Sequence, residues 1–193
     1  MTSLGERGGR VRAGRRLKLC PAALAALAVL AVFAASADGA AAQSSRTNVW
    51  RSATTEELRS VIPARAPVIA ERIETEMRTA SGVVDSQGHT IAGVVLITAG
   101  YSANGTYSDY FVTQVPLKIG EHNLPAGAYL IGWTRSSEEL LVTISEASTG
   151  KALVEVPAVR NASIHRVESF RVWPPNGHPM IQLGRFTIDY SVP

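Results

Sequence analysis

Hydrophobic and polar positions divide this chain into three stretches of different period. From Leu19 to Ala37 no residue is charged, while the stretch before it is basic, with Arg7, Arg10, Arg12, Arg15, Arg16 and Lys18. Small residues follow, and Ala35-Ser36-Ala37 and Ala40-Ala41-Ala42 both fit the small-x-small rule for signal cleavage. Basic, apolar, then small is the order of a secretory leader, so residues 1–42 read as a signal peptide. The apolar run approaches the ~20 residues that span a bilayer, which leaves an uncleaved inner-membrane anchor as a second reading. In both readings the remainder is exported and works in the periplasm or outside the cell.

A polar, flexible lead is expected over 43–53 and a helical segment over 54–81. Thr54 or Thr55 can cap a helix whose first turn holds Glu56 and Glu57, with Leu58, Val61 and Ile62 on one side and Pro63 as its stop. A second helix is expected over 66–80, opening at Pro67. Ile69, Ile73 and Met77 recur there every four residues, and Arg72 with Glu76 and Glu74 with Arg78 form i,i+4 pairs. That apolar stripe packs on the following sheet or serves as an oligomer contact.

After Gly82 the period falls to two. Ile91 to Ile97 is almost continuously apolar, as in a strand covered on both faces. Asn104-Gly105 is a hairpin signal flanked by Tyr101, Tyr107, Tyr110 and Phe111. Val115 to Ile119, interrupted by Pro116, suits an edge strand. Tyr129, Ile131 and Trp133 alternate with Leu130, Gly132 and Thr134, and Leu140, Val142 and Ile144 continue the pattern. Further strands are expected at Ala152–Val156, Val167–Trp173 and Phe186–Val192. Residues 82–193 therefore predict a mainly β domain, an antiparallel β-sandwich or barrel of about eight strands, with the N-terminal helical segment packed on it.

Leu124-Pro125-Ala126-Gly127-Ala128-Tyr129 resembles a hairpin of exported bacterial all-β domains, the carboxypeptidase-regulatory-like sandwiches and some secreted families of unknown function. The resemblance covers these six residues. It implies a sandwich with a non-catalytic role and transfers no site residue, because the motif is itself a turn.

Charge changes meaning once the leader is set aside. The whole chain has 19 Lys+Arg and 16 Asp+Glu; the leader holds six and two of these, which leaves 13 against 14. The basic character thus belongs to the leader, and no nucleic-acid partner is expected. A membrane partner is expected only if the signal stays uncleaved. The lone cysteine, Cys20, lies in the leader, so the 151 residues from Gln43 onward hold no disulfide and no thiolate ligand or nucleophile.

No catalytic motif emerges: no Gly-x-Ser-x-Gly elbow, no His-Glu-x-x-His helix, no phosphate or calcium loop. His89, His122, His165 and His178 are widely spaced, and no metal or cofactor is expected. A Ser169–His165–Asp189 set can be drawn only from distant residues. Glu56-Glu57 and Glu138-Glu139 sit in a helix start and a turn, unlike carboxyls facing across a cleft. Two places suit binding. Tyr107 and Tyr110 flank a turn and can present a stacking surface. Trp173 and His178 bracket a proline-stiffened loop, and loops on rigid sheets often hold sites. The expectation is an exported, non-catalytic binding or structural module with a protein or carbohydrate partner. A hydrolase assembled from distant residues and a subunit associating through 66–80 are the alternatives.

Overall fold

The computed structural model describes residues 48–103, 105–135 and 139–193. The leader over 1–42, the start of the polar lead, Asn104 of the hairpin signal and most of the Ser136–Glu139 turn lie outside them.

The chain is mainly β and antiparallel. In order come β1 (Arg51–Ser52), helix α1 (Thr55–Val61), β2 (Arg65–Val68), β3 (Glu71–Glu74), a 3-10 turn (Met77–Thr79), β4 (Ser81–Val84), β5 (Thr90–Val95), β6 (Asp109–Thr113), β7 (Leu117–Ile119) and β8 (His122–Leu124). Then follow β9 (Gly127–Arg135), β10 (Glu139–Glu146), β11 (Ala152–Arg160), β12 (Glu168–Val172), β13 (Met180–Gly184) and β14 (Phe186–Ser191). Ten strands form one ladder in the order β1-β4-β5-β6-β9-β10-β11-β14-β13-β12, with β7 pairing β14 and β8 pairing β7. The strands are shorter and more numerous than the expected eight.

The ladder is not closed into a barrel. It curls until β12 lies against β4 and β5 through side chains, a sandwich-like arrangement. Gly93 on β5 permits this: a Cβ there would stand 2.4 Å from the Phe170 ring of β12. That ring in turn sits 6.5 Å from Phe111, centroid to centroid. The curled inner face holds the main core, with Ile91, Phe111, Ile131, Val142, Ile144, Ile181 and Ile188 all buried. The outer face of β5, β6 and β9 carries a second apolar cluster, roofed by α1 and the β2–β3 hairpin.

Helix α1 forms where its cap is expected. Thr54 Oγ1 accepts from the Glu57 amide at 3.3 Å and Glu57 Oε2 accepts from the Thr54 amide at 2.8 Å, a reciprocal capping box. Leu58 and Ile62 bury against Ala92 and Val94 of β5.

The second helix over 66–80 is corrected. Residues 65–74 are instead the β2–β3 hairpin, joined by Ile69-Ala70. Ala66, Val68 and Ile73 are its buried positions, whereas Arg65, Arg72 and Glu74 face solvent. The four-residue spacing of Ile69, Ile73 and Met77 therefore spans a turn, a strand and a 3-10 turn. Ile69 has φ +55°, rare for a β-branched residue, and its amide donates to the Ala147 carbonyl at 2.8 Å. With Ile73 fully buried, no apolar helical stripe is left for an oligomer contact.

Two further expectations change. Trp50 belongs to the core, and its amide and carbonyl are held by the Asn176 side chain at 3.1 and 2.5 Å, so the described end of the 43–53 lead is tied down. The β5–β6 connection runs over residues 96–108 and folds across the outer face, where a Cβ on Gly132 would stand 2.4 Å from the Thr106 carbonyl. It is a long loop and not a two-residue hairpin.

Candidate functional site: the open end of the curled sheet

Strand alternation sends every second side chain inward. On β6 the inward series is Asp109, Phe111, Thr113; on β9 it is Tyr129, Ile131, Trp133, Arg135; on β11 it is Val154, Val156, Ala158, Arg160. Because the strands run antiparallel, Asp109, Trp133, Arg135 and Arg160 reach the same end of the sheet. Val95, Leu140, Glu168, Leu183 and Phe186 arrive there on the neighbouring strands.

Together they line a half-open cavity of about 740 Å³, within the size range of ligand sites. Its walls mix apolar and polar side chains. Trp133 and Val167, 44% and 52% exposed, stand among them. Arg135, Arg160 and Arg185 line it as well, and the Arg135 guanidinium carbon lies 6.0 Å from the centre of the Phe186 ring. Among the described residues Arg160 and Arg185 form no ion pair. Glu168, the other acidic lining residue beside Asp109, is paired with Arg166 at 2.8 Å and Arg171 at 3.6 Å.

Asp109 is the unusual member. It is 3% exposed, and among the described residues no hydrogen bond or ion pair reaches its carboxyl. Burial disfavours the charged form and pushes its pKa up to about 8. At neutral pH the group is a protonated acid with a donor to offer.

The residues expected to bind lie elsewhere and do not converge. Tyr110 is buried in the outer cluster beneath α1 and the β2–β3 hairpin, so its ring is not open to stacking. Tyr107 is half-buried beside it and lines a smaller concavity of about 280 Å³ with Ile69, Glu71 and Ser102. Glu71 accepts a hydrogen bond from the Ser102 hydroxyl there. Trp173 and His178 sit at the opposite end of the sheet, in the β12–β13 connection. Trp173 Nε1 donates to Gln182 Oε1 at 3.1 Å and its ring carries the Arg171 guanidinium at 4.4 Å, while His178 is exposed.

Ser108 and Ser169 border the cavity, but neither His165 nor His178 does, and both are exposed. Asp189 faces solvent on β14. No group of three or more metal-ligating side chains occurs among the described residues, nor is any helix among them long and apolar enough to cross a membrane.

Sequence reasoning missed Asp109, Arg135, Arg160 and Arg185. A signal existed. An acid two residues before Phe111 in a strand, and arginines ending two apolar inward series, mark the mouth of a core. Comparison with protein-family models, curated proteins and solved structures finds no match for this chain.

Proposed function

We propose that the protein is a non-catalytic binding module that takes a small ligand into the open end of an antiparallel β-sandwich. The observation behind this reading is the unpaired, buried Asp109 carboxyl facing a cavity of about 740 Å³. Among the described residues its oxygens have no protein partner and open onto the cavity, so a ligand atom there can complete their hydrogen bonding. Export by the 1–42 leader places this module outside the inner membrane, where ligand capture suits a chain without a cysteine-based site. The partner is thus a small molecule first, with any protein or carbohydrate contact secondary.

The test is titration of the purified chain with the fluorescent probe 1-anilinonaphthalene-8-sulfonate. The expected result is saturable one-to-one binding to the folded protein that Val167→Trp, which fills the mouth from an exposed position, weakens at least tenfold without altering the circular dichroism melt. Binding indifferent to Val167→Trp, or no binding, overturns the reading.

A further inference from the structure

Resting on that reading, we infer that the open end selects an amphipathic anion: an apolar body lodged among the cavity walls, with an acidic head held by the arginine rim. Two features of the lining support this independently. The apolar share is large and partly uncovered: Val95, Trp133, Leu140, Val167, Leu183 and Phe186, of which Trp133 and Val167 remain exposed in the free protein. Among the described lining residues cations outnumber acids. Arg135, Arg160 and Arg185 contribute three guanidinium groups, and Glu168 already shares its carboxylate with Arg166 and Arg171 outside the cavity lining.

A guanidinium is a planar fork that takes carboxylate or phosphate oxygens two at a time. The rim therefore favours an oxyanion head over a cationic one. Deeper in, the protonated Asp109 presents no negative charge to an anionic ligand at neutral pH, and its proton is available to a ligand oxygen. Among the described residues, the charged groups lining the cavity with Asp109 are Arg135 from β9, Arg160 from β11, Glu168 from β12 and Arg185 from the β13–β14 turn; β5, β10, β13 and β14 line it with Val95, Leu140, Leu183, Gly184 and Phe186. Once ionised, Asp109 sets a carboxylate against the bound anion. Affinity for the anion then falls as pH rises through about 8.

The experiment is isothermal titration of the full chain at pH 6.5 with decanoate, decyltrimethylammonium and decyl maltoside, all below their micellar concentrations. Decanoate is expected to bind at least tenfold tighter than decyltrimethylammonium. Arg160→Ala combined with Arg185→Ala should shrink that preference to twofold or less while the melting curve stays unchanged. Repeating the decanoate titration at pH 9 should show at least fivefold weaker binding, and Asp109→Asn should flatten this difference.

Equal affinity for the two charged amphiphiles, each still blocked by Val167→Trp, overturns the anion preference and leaves the cavity reading standing. Absence of binding by all three overturns both. A sedimentation arm with phosphatidylglycerol vesicles separates a free amphiphile from a bilayer headgroup. Cosedimentation without decanoate binding would overturn the free ligand.

Discussion

At the closed end of the sheet, Asp85 in the β4–β5 turn is 5% exposed and surrounded by donors; at the open end, Asp109 is as deeply buried and meets none among the described residues. The Gln87 and His89 amides reach Asp85 at 2.8 Å each, with the Asn48 carboxamide and His89 Nδ1 at 2.9 Å. Burial opposes its charge, but these hydrogen bonds outweigh it and hold the carboxyl at about 2. Asp109, with burial alone acting on it, moves the other way. Depth does not decide charge; partners do. The rest of each end agrees. Leu117, Ile119 and Leu124 plug the closed end, Tyr129 donates to the Pro125 carbonyl at 2.6 Å and Tyr190 to the Trp173 carbonyl at 2.5 Å. Among the described residues no such plug covers Trp133 or Val167 at the other.

The sharpest way to break this contrast is to delete each acid in turn. Asp85→Ala leaves the Gln87 and His89 amides without their acceptor and frees Asn48 and the His89 ring, so it should cost about 3 kcal/mol in urea unfolding at pH 7. Asp109→Asn removes the cost of protonating a carboxyl that is ionised in the unfolded chain, so at pH 7 it should leave stability unchanged or raise it. A large loss at Asp109 would mean that it, too, serves the fold.

Next in size is the pH dependence, in which the two acids act with opposite signs. The folded pKa of Asp109 is raised from 3.8 to about 8. Its contribution is fully present below pH 3.8 and drains away as pH rises through about 8. Asp85 is lowered from 3.8 to about 2, so its contribution is present above 3.8 and is lost as pH falls through about 2. Carboxyl carbon NMR should show Asp109 titrating near 8 and Asp85 silent down to about pH 3. Reversed midpoints would dissolve the comparison.

How much of this was legible beforehand follows the same line between closed and open. Strands whose apolar positions alternate cleanly, such as those of β9, β10 and β14, are found where their pattern predicts. The Leu124–Tyr129 turn does join two strands, and the Tyr129 hydroxyl staples it. The β2–β3 hairpin was hidden because Ile69, Ile73 and Met77 imitate a helical face; only the close packing of Ala66, Val68 and Ile73 over β5 and β6 decides between the two. The site was hidden for a different reason. Each of its residues is ordinary in its own strand, and the cavity arises only when eight strand ends are gathered by a ladder whose order the sequence does not state. The aromatic residues that looked available, Tyr110 above all, were absorbed by the second apolar cluster.

The smallest predicted effects compare one aromatic residue from each end. Tyr190 is buried and its hydroxyl satisfies the Trp173 carbonyl, so Tyr190→Phe should cost about 1 kcal/mol through the single lost hydrogen bond. Trp133 is far larger, yet with nearly half its surface in solvent and its ring lining the cavity, Trp133→Ala should cost only about 0.5 kcal/mol. The same variant should weaken probe binding at least fivefold, because the ring forms one wall of the cavity. Loss of stability without loss of binding would make Trp133 part of the core. The open end would then be a second closed one whose plug is this indole.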